Sequence, residues 1–523
     1  MSEFDAIFVG AGHNTLACAA HLALKGWKTG VFERSTTIGG AVQTHEFTLP
    51  GFRHDFGAMN LSLFAGSAFH RKYANELKAQ GLEFEPVADC FASAFPDGRW
   101  LGISSDLEKT AGRMAAFSAA DAATWRRLVA AFPSEAEHLF KLLGSPMSAR
   151  ALASTAWNLW RKKGVSGALD TGRLLLSSPR AWLEENFESP HVRATLATWG
   201  MHLDFAPDIA GGAVFPYLES MANQSFGMVL GKGGADTIIR ALAGMVTSAG
   251  GRIVTGADVA EITVSGGKAS GVRLASGETH TAIKAVIAGV APKALAGKLL
   301  PLGSGDACFD MAMQKFRHAP GTMMIHLALD DLPDWRAGAQ LRQFAYVHLA
   351  PSLDQMSRTF QQATSGMLPD EPVLVVGQPT AVDPSRAPEG KHVLWVQVRM
   401  LPAEIAGDAS AKIAPAHWQV KEVYADRVLD IIETYAPGLR AKILGRAVFS
   451  PIDLERENPN LVGGDQVCGS HHLAQNFLFR PARGYAGWNT PITNLHLTGA
   501  ATWPGAGTGA ASGFMLAQQL GGR

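Results

Sequence analysis

The chain has 523 residues, 47% of them apolar and 18% charged. This composition excludes disorder, and the length points to two lobes rather than one ordinary domain. Lys plus Arg and Asp plus Glu balance at 46 each, so nucleic acid is set aside as a partner, a local basic face apart.

In chain order, the N-terminal residues Met1 to Asp5 run straight into a strand-like segment without a basic or long apolar leader, so no signal peptide is expected. No uncharged apolar run approaches the about 18 residues that suggest a membrane span. A cytoplasmic protein is expected, soluble or at most surface-attached. Cys18, Cys90, Cys308 and Cys468 form no CxxC pair. That argues against a zinc site or disulfide framework and for reduced, mostly buried thiols.

Residues 6–9 form an apolar strand that ends in glycine, 14–25 a helix, and 28–32 a second strand ending at Glu33. Together they have the size of one βαβ unit. From 61 to 224 aromatics fall on helical spacings between breaks at Pro133, Pro146, Pro179 and Pro190, which reads as an inserted helical region. Gly231–Gly234 reopen an α/β stretch: a helix at 235–249, strands at 252–254 and 259–264, a turn at Gly266-Gly267, a returning strand at 271–274 and a buried strand at 285–289. The segment 316–475 mixes strands, one alternating at 393–398, with a helix near 421–435. A last strand at 495–498, a Gly/Ala-rich turn and a final helix to Leu520 close the chain.

Three motifs carry chemistry. Gly10-Ala11-Gly12-His13-Asn14-Thr15 follows a strand and opens a helix. Its glycines allow a tight turn and close backbone approach, and the helix N-terminus offers free N–H groups to a diphosphate. Thr15 replaces the third glycine of the usual fingerprint. Glu33 stands about twenty residues on, where an acid hydrogen-bonds an adenosine ribose and favours a free 2′-hydroxyl. The Gly39-Gly40 pair behind it selects FAD over NAD. The third piece, Thr498-Gly499-Ala500-Ala501-Thr502-Trp503-Pro504-Gly505-Ala506-Gly507, is again strand, glycine-rich turn and helix. Its helix N-terminus suits the electron-rich edge of a flavin.

With these motifs the chain resembles the phytoene desaturase-like flavoproteins, a group of carotenoid desaturases and isomerases, ketolases and dehydrogenase-related proteins. The match is carried by Gly10–Asn14, Glu33, Gly39-Gly40, Phe52-Arg53-His54-Asp55-Phe56-Gly57-Ala58, Gly231-Lys232-Gly233-Gly234, the run Pro384 to His392, and Phe479-Arg480-Pro481 through Gly513. It spans nearly the whole chain and is weakest from 61 to 224. The implied fold class is α/β: a Rossmann-like FAD-binding lobe with a mixed-sheet plus helical substrate lobe. The expected division gives 1–70, 225–310 and 471–523 to the FAD lobe, and 71–224 and 311–470 to the substrate lobe. The resemblance implies cofactor contacts at Gly10, Gly12, Asn14, Glu33, Arg34, Gly39, Gly40, Gly57, Val259, Gly499, Ala500 and Gly507. Two departures mark the substrate side. Where the family often has Thr-His-Pro-Gly-Gly-Gly, Trp503 replaces the histidine and Ala506 a glycine, and Trp488-Asn489 replaces a Tyr-Arg pair.

The implied reaction is dehydrogenation, saturation or isomerisation of a lipophilic substrate, polyenes included, with hydride passing to flavin N5. The electron acceptor, oxygen or quinone, is left open. No conclusive nucleophile, dyad or metal cluster emerges. Asp55, His54 and Trp503 are weak catalytic candidates, Asp55 as a base or a loop cap. His471-His472, read as neighbours on a strand, would face opposite ways and make an awkward metal pair. Arg480 and Arg483 suit a substrate end or, preferably, a structural ion pair. Trp157 and Trp160 before Arg161-Lys162-Lys163 suit either a lipid headgroup layer or, slightly better, an ordinary surface helix. Two alternatives stay open: a flavin amine oxidase-like enzyme, which Cys468 does not favour as a flavin-bonding residue, and a non-catalytic FAD-binding interaction protein.

Overall fold

A computed structural model describes residues 2–301, 303–304, 306–414 and 417–522; Met1 lies outside them. Two seven-stranded sheets organise the molecule. In the first, the strands Arg252–Val254, Thr29–Phe32, Ser2–Val9, Thr279–Ala288 and Leu495–Leu497 are all parallel. The hairpin Val259–Ser265 and Lys268–Leu274 is the antiparallel excursion. Strand Thr279–Ala288 is long enough to use one edge twice. Its first residues pair with the hairpin and its last three with Leu495–Leu497. The C-terminus is thereby stitched into a sheet begun at the N-terminus.

Register explains which face each residue serves. A shift between Phe4 and Ala6 turns the first strand, so Ala6 and Phe8 join one core while Phe4, Ile7 and Val9 join the other. The first core holds three helices side by side: His13–Leu24 packs between Thr237–Ser248 and Ala511–Gly521. Small residues make that packing tight. A Cβ on Gly513 would stand 1.8 Å from the Asn14 carbonyl oxygen, so only glycine permits the approach.

The second sheet runs Ile443–Phe449, Gly321–Leu329, His392–Leu401, Val373–Gly377, Tyr346–Leu349, Asp89–Ala94, Trp100–Ser104. It is antiparallel except where Tyr346–Leu349 meets Asp89–Ala94. Helix Lys421–Tyr435 covers one face. The other face carries a large apolar core shared with the helices Ala119–Leu143, Pro179–Asn186, Pro190–His202 and Val214–Phe226.

The inserted region is thus not purely helical. Phe84–Val87 pairs with Met228–Gly231, and Asp89–Ala94 and Trp100–Ser104 complete the second sheet. The strand Asp-Cys-Phe-Ala-Ser-Ala is short, lacks β-branched residues and is buried over its last five positions, so it shows neither alternation nor strand propensity. Pro133 lies inside helix Ala119–Leu143 rather than breaking it, whereas Pro179 and Pro190 open helices, where the missing N–H is no loss. Cys18 and Cys90 are buried, Cys468 is half-buried and Cys308 is exposed, all as free thiols.

Candidate functional site

Gly10 takes a positive φ of 91° and lets the chain leave the first strand for the helix that starts after Gly12. Glu33 ends the neighbouring strand and brackets the turn: its carboxylate accepts the Ala11 N–H at 2.7 Å and the Ser35 N–H at 2.9 Å. Gly39 donates to the Ala11 carbonyl at 2.9 Å, which lays the 39–40 loop along the same turn. The glycines divide into two kinds. A Cβ on Gly39 would sit 2.4 Å from the Val42 oxygen, and one on Gly57 2.7 Å from the Ala41 oxygen; these glycines serve the protein's own packing. A Cβ on Gly12 or Gly499 meets no atom within 4 Å. Backbone there lines open space beside a helix N-terminus, the arrangement by which a dinucleotide diphosphate is held.

Asn14 joins the two chain ends. Its side-chain oxygen accepts the Gly513 N–H at 3.2 Å, and His13 reaches the Gly507 carbonyl at 3.0 Å. Burial lowers His13 to about 4 and keeps its ring neutral. Gly499, Ala500 and Gly507 are thereby held near Gly10, Gly12 and Asn14. Gly40 lies against this group, a Cβ there standing 3.5 Å from the Gly12 Cα. Val259 is buried at the start of its strand, one residue pair beyond Ala257, whose N–H donates to the Glu33 carbonyl. Arg34 is exposed and donates to the Arg456 carbonyl at 2.8 Å.

The catalytic candidates are otherwise engaged. Asp55 is buried, with one oxygen accepting Thr44 Oγ1 at 2.7 Å and the Ala235 N–H at 2.8 Å, and the other in an ion pair with Arg386. Arg386 also donates to the Gly231 carbonyl at 2.7 Å, and Asp383 accepts the Gly233 N–H at 2.6 Å. Both carboxylate oxygens of Asp55 are therefore engaged in clamping three distant segments together, the arrangement that the loop-holding alternative expects. His54 is buried against His326, bonds Thr48 Oγ1 at 2.8 Å and is lowered to about 3 by burial. Trp503 points into the apolar core beside the first sheet, where its indole donates to the Ser145 carbonyl at 2.9 Å and packs on Phe477.

Two residues beside the C-terminal turn have roles that differ from their sequence reading. Arg480 is fully buried, yet it bonds backbone only: Ala500 at 3.0 and 2.6 Å, Ser470 at 2.8 Å and Gly469 at 3.3 Å. Among the described residues it has no ion-pair partner, and its burial closes it to a substrate end, whereas Arg483 is exposed. Burial lowers Arg480 to about 10, so it stays cationic at neutral pH beneath the turn. His471 and His472 are not on a strand. The Asp204 carboxylate accepts the His471 N–H and the Ser470 hydroxyl and lies 3.2 Å from His472 Nε2. His471 Nε2 then accepts the Ala506 N–H at 2.9 Å, and burial, followed by the Arg480 charge, holds its ring neutral. The turn that carries tryptophan in place of the family's histidine thus receives a histidine from elsewhere in the chain. Only the doubled His471-His472 stood out in sequence, without a hint of that contact.

Comparison with known proteins agrees with this geometry. A family model described as flavin containing amine oxidoreductase matches residues 16–513. The rat protein named pyridine nucleotide-disulfide oxidoreductase domain-containing protein 2 is 29% identical, over 98% of this chain and 92% of its own. A neurosporene-forming phytoene desaturase of Cereibacter sphaeroides is 25% identical, over 96% of this chain and 91% of its own. An oxidoreductase structure from Methanosarcina mazei superposes with a TM-score of 0.61 at 18% identity, covering 98% of this chain and 99% of that one.

Proposed function

The chain belongs to the flavin-containing amine oxidoreductases and is an FAD-dependent oxidoreductase; from that premise we propose that it dehydrogenates a lipophilic substrate held against the helix-covered face of its second sheet. The observation that carries this reading is the apolar core on the helix-covered face of the second sheet. It runs without interruption from Trp199, Tyr217, Tyr346 and Trp395 to Phe56 and Met59, the segment that leads away from the Asp55 clamp. An apolar wall of that kind orients a hydrocarbon and excludes water, and bound flavin supplies the hydride acceptor.

The contacts with FAD are assigned to Gly10, Gly12, Asn14, Glu33, Arg34, Gly39, Gly40, Gly57, Val259, Gly499, Ala500 and Gly507. In this reading residues 1–70, 225–310 and 471–523 form the FAD lobe, and 71–224 with 311–470 form the substrate lobe. Arg480 and His471 fix the C-terminal turn, and the Arg480 charge would stabilise negative charge on a reduced flavin. Oxygen or a quinone is the proposed final acceptor. A peripheral membrane contact is supported by exposed Trp157, Trp160, Leu169 and Leu176 on helix Ala149–Leu176. Lys162 and Lys163 are already paired with Glu137 and Glu135, so apolar insertion would carry that contact more than charge. Among the described residues no helix is long and apolar enough to cross a membrane.

The family's own description favours a second reading, oxidation of a lipophilic amine. Anaerobic titration of the FAD-loaded protein separates the two. Bleaching of the oxidised flavin band by unsaturated hydrocarbons such as phytoene or limonene supports the first, and bleaching by hydrophobic amines alone supports the second.

A further inference from the structure

Removing hydrogen across a carbon–carbon bond produces a hydride and a proton, and none of the residues singled out in sequence is free to take the proton. Helix Val214–Phe226 supplies another. Most of its length is buried, but Phe215, Leu218, Glu219 and Ala222 form one stripe that stays half-buried, at the i, i+3, i+4, i+7 spacing of a single helix face. Phe215, Leu218 and Ala222 pack against the apolar core proposed to hold the substrate. The Glu219 carboxylate, between them, makes no hydrogen bond or ion pair among the described residues; only its backbone carbonyl is used, by Asn223 at 2.7 Å. The other carboxylates buried on this side, Asp55, Asp204 and Asp465, are held by two or more donors each. Glu219 is enclosed deeply enough for burial to be what shifts its carboxyl, yet it keeps accessible surface, so it borders an internal space.

We propose that Glu219 is the proton acceptor of the dehydrogenation, facing the substrate across the inner apolar wall from Tyr346. This role rests on the reading of an apolar substrate given above. In the step, one carbon gives up hydrogen with its electron pair to bound flavin. The neighbouring carbon gives up a proton to the Glu219 carboxylate, and the electron pair of that second C–H bond becomes the new π bond. The neutral carboxylic acid later returns its proton to water. The electrostatic setting agrees: burial alone raises the Glu219 carboxyl to about 7, which matches an acid–base group to neutral pH. No neighbouring charge or hydrogen bond offsets that burial. Tyr346, kept protonated chiefly by burial and then by the Asp55 charge, also feels the Glu219 charge as repulsive. His202, at the end of helix Pro190–His202, is held neutral by burial and bonded to His348 at 3.1 Å. Glu135 of helix Ala119–Leu143, whose charge reaches Tyr217, is paired with Lys163.

The test has a spectroscopic arm and a kinetic arm, both on the FAD-loaded full chain. Infrared titration without substrate should show a carboxyl C=O band with a midpoint near 7 that is missing in Glu219→Gln. With phytoene or limonene as probe, Glu219→Gln should keep the wild-type flavin perturbation on binding but bleach about a hundredfold or more slowly, and Glu219→Asp should recover part of the rate. Absence of the neutral-range band, or bleaching of Glu219→Gln at nearly the wild-type rate, overturns the proposal while leaving the oxidoreductase reading intact. A wild-type protein that only amines bleach removes the apolar-substrate reading, and this role with it.

Discussion

Single residues in this molecule divide by what would fill the space next to them. A Cβ on Gly12 meets no protein atom within 4 Å, and Gly12 has an ordinary extended φ of −74°. Gly12→Val should therefore leave the apoprotein's thermal midpoint nearly unchanged and weaken FAD at least about tenfold, ~1.4 kcal/mol, in a flavin fluorescence titration. Gly39→Ala should act on the fold itself. Its φ of 122° and the Val42 oxygen at 2.4 Å make the substitution a backbone strain of about 1–3 kcal/mol, visible in denaturant melts without FAD. Asp55→Asn removes one partner of a buried ion pair and should cost about 3–5 kcal/mol in the same melts. A kinetic defect with unchanged stability would instead return Asp55 to the catalytic candidates. These distinctions were not legible in sequence. All three positions belong to one family-like pattern, but the Asp55 partner Arg386 lies 331 residues away.

At the scale of elements, the two ends of the chain and several elements after Gly231 were readable, and the strands inside the region 61–224 were not. Gly10, Gly12 and Glu33 announce strand, turn, helix and acid at fixed spacing, and the hairpin at Gly266-Gly267 and the helix Lys421–Tyr435 fall where periodicity places them. Strands Asp89–Ala94 and Trp100–Ser104 escape because their identity comes from a partner, Tyr346–Leu349, more than two hundred positions downstream. The helix crossing that joins the ends gives its own test. Gly513→Ala forces a methyl against the Asn14 carbonyl. It should destabilise the protein by about 1–3 kcal/mol through overpacking, and it should lower FAD affinity because Gly499 and Gly507 move with the helix. A stability loss without any change in flavin binding would mean that the crossing and the cofactor turn are uncoupled.

Over the whole molecule, buried neutral histidines set the response to acid. His54 and His348 have folded-state values of about 3, against 6.5 when unfolded. Below 6.5 the unfolded chain binds protons that the folded one refuses, so their contribution is complete above that pH and is lost as pH falls from 6.5 towards 3. Each removes up to ~1.4 kcal/mol per pH unit across that window. Chemical denaturation should show stability falling steeply between pH 6.5 and 4, and the fall should be shallower in His348→Asn. The same burial that keeps these rings neutral also dries the wall on which an apolar substrate would lie.

The central claim is that one FAD is held jointly by the two ends of the chain. Hydrogen exchange with and without FAD tests it most directly. Added FAD should slow exchange at 10–14 and 33–40 and, in the same titration, at 499–507. Protection confined to the N-terminal segments, or no protection with FAD in excess, would contradict the account.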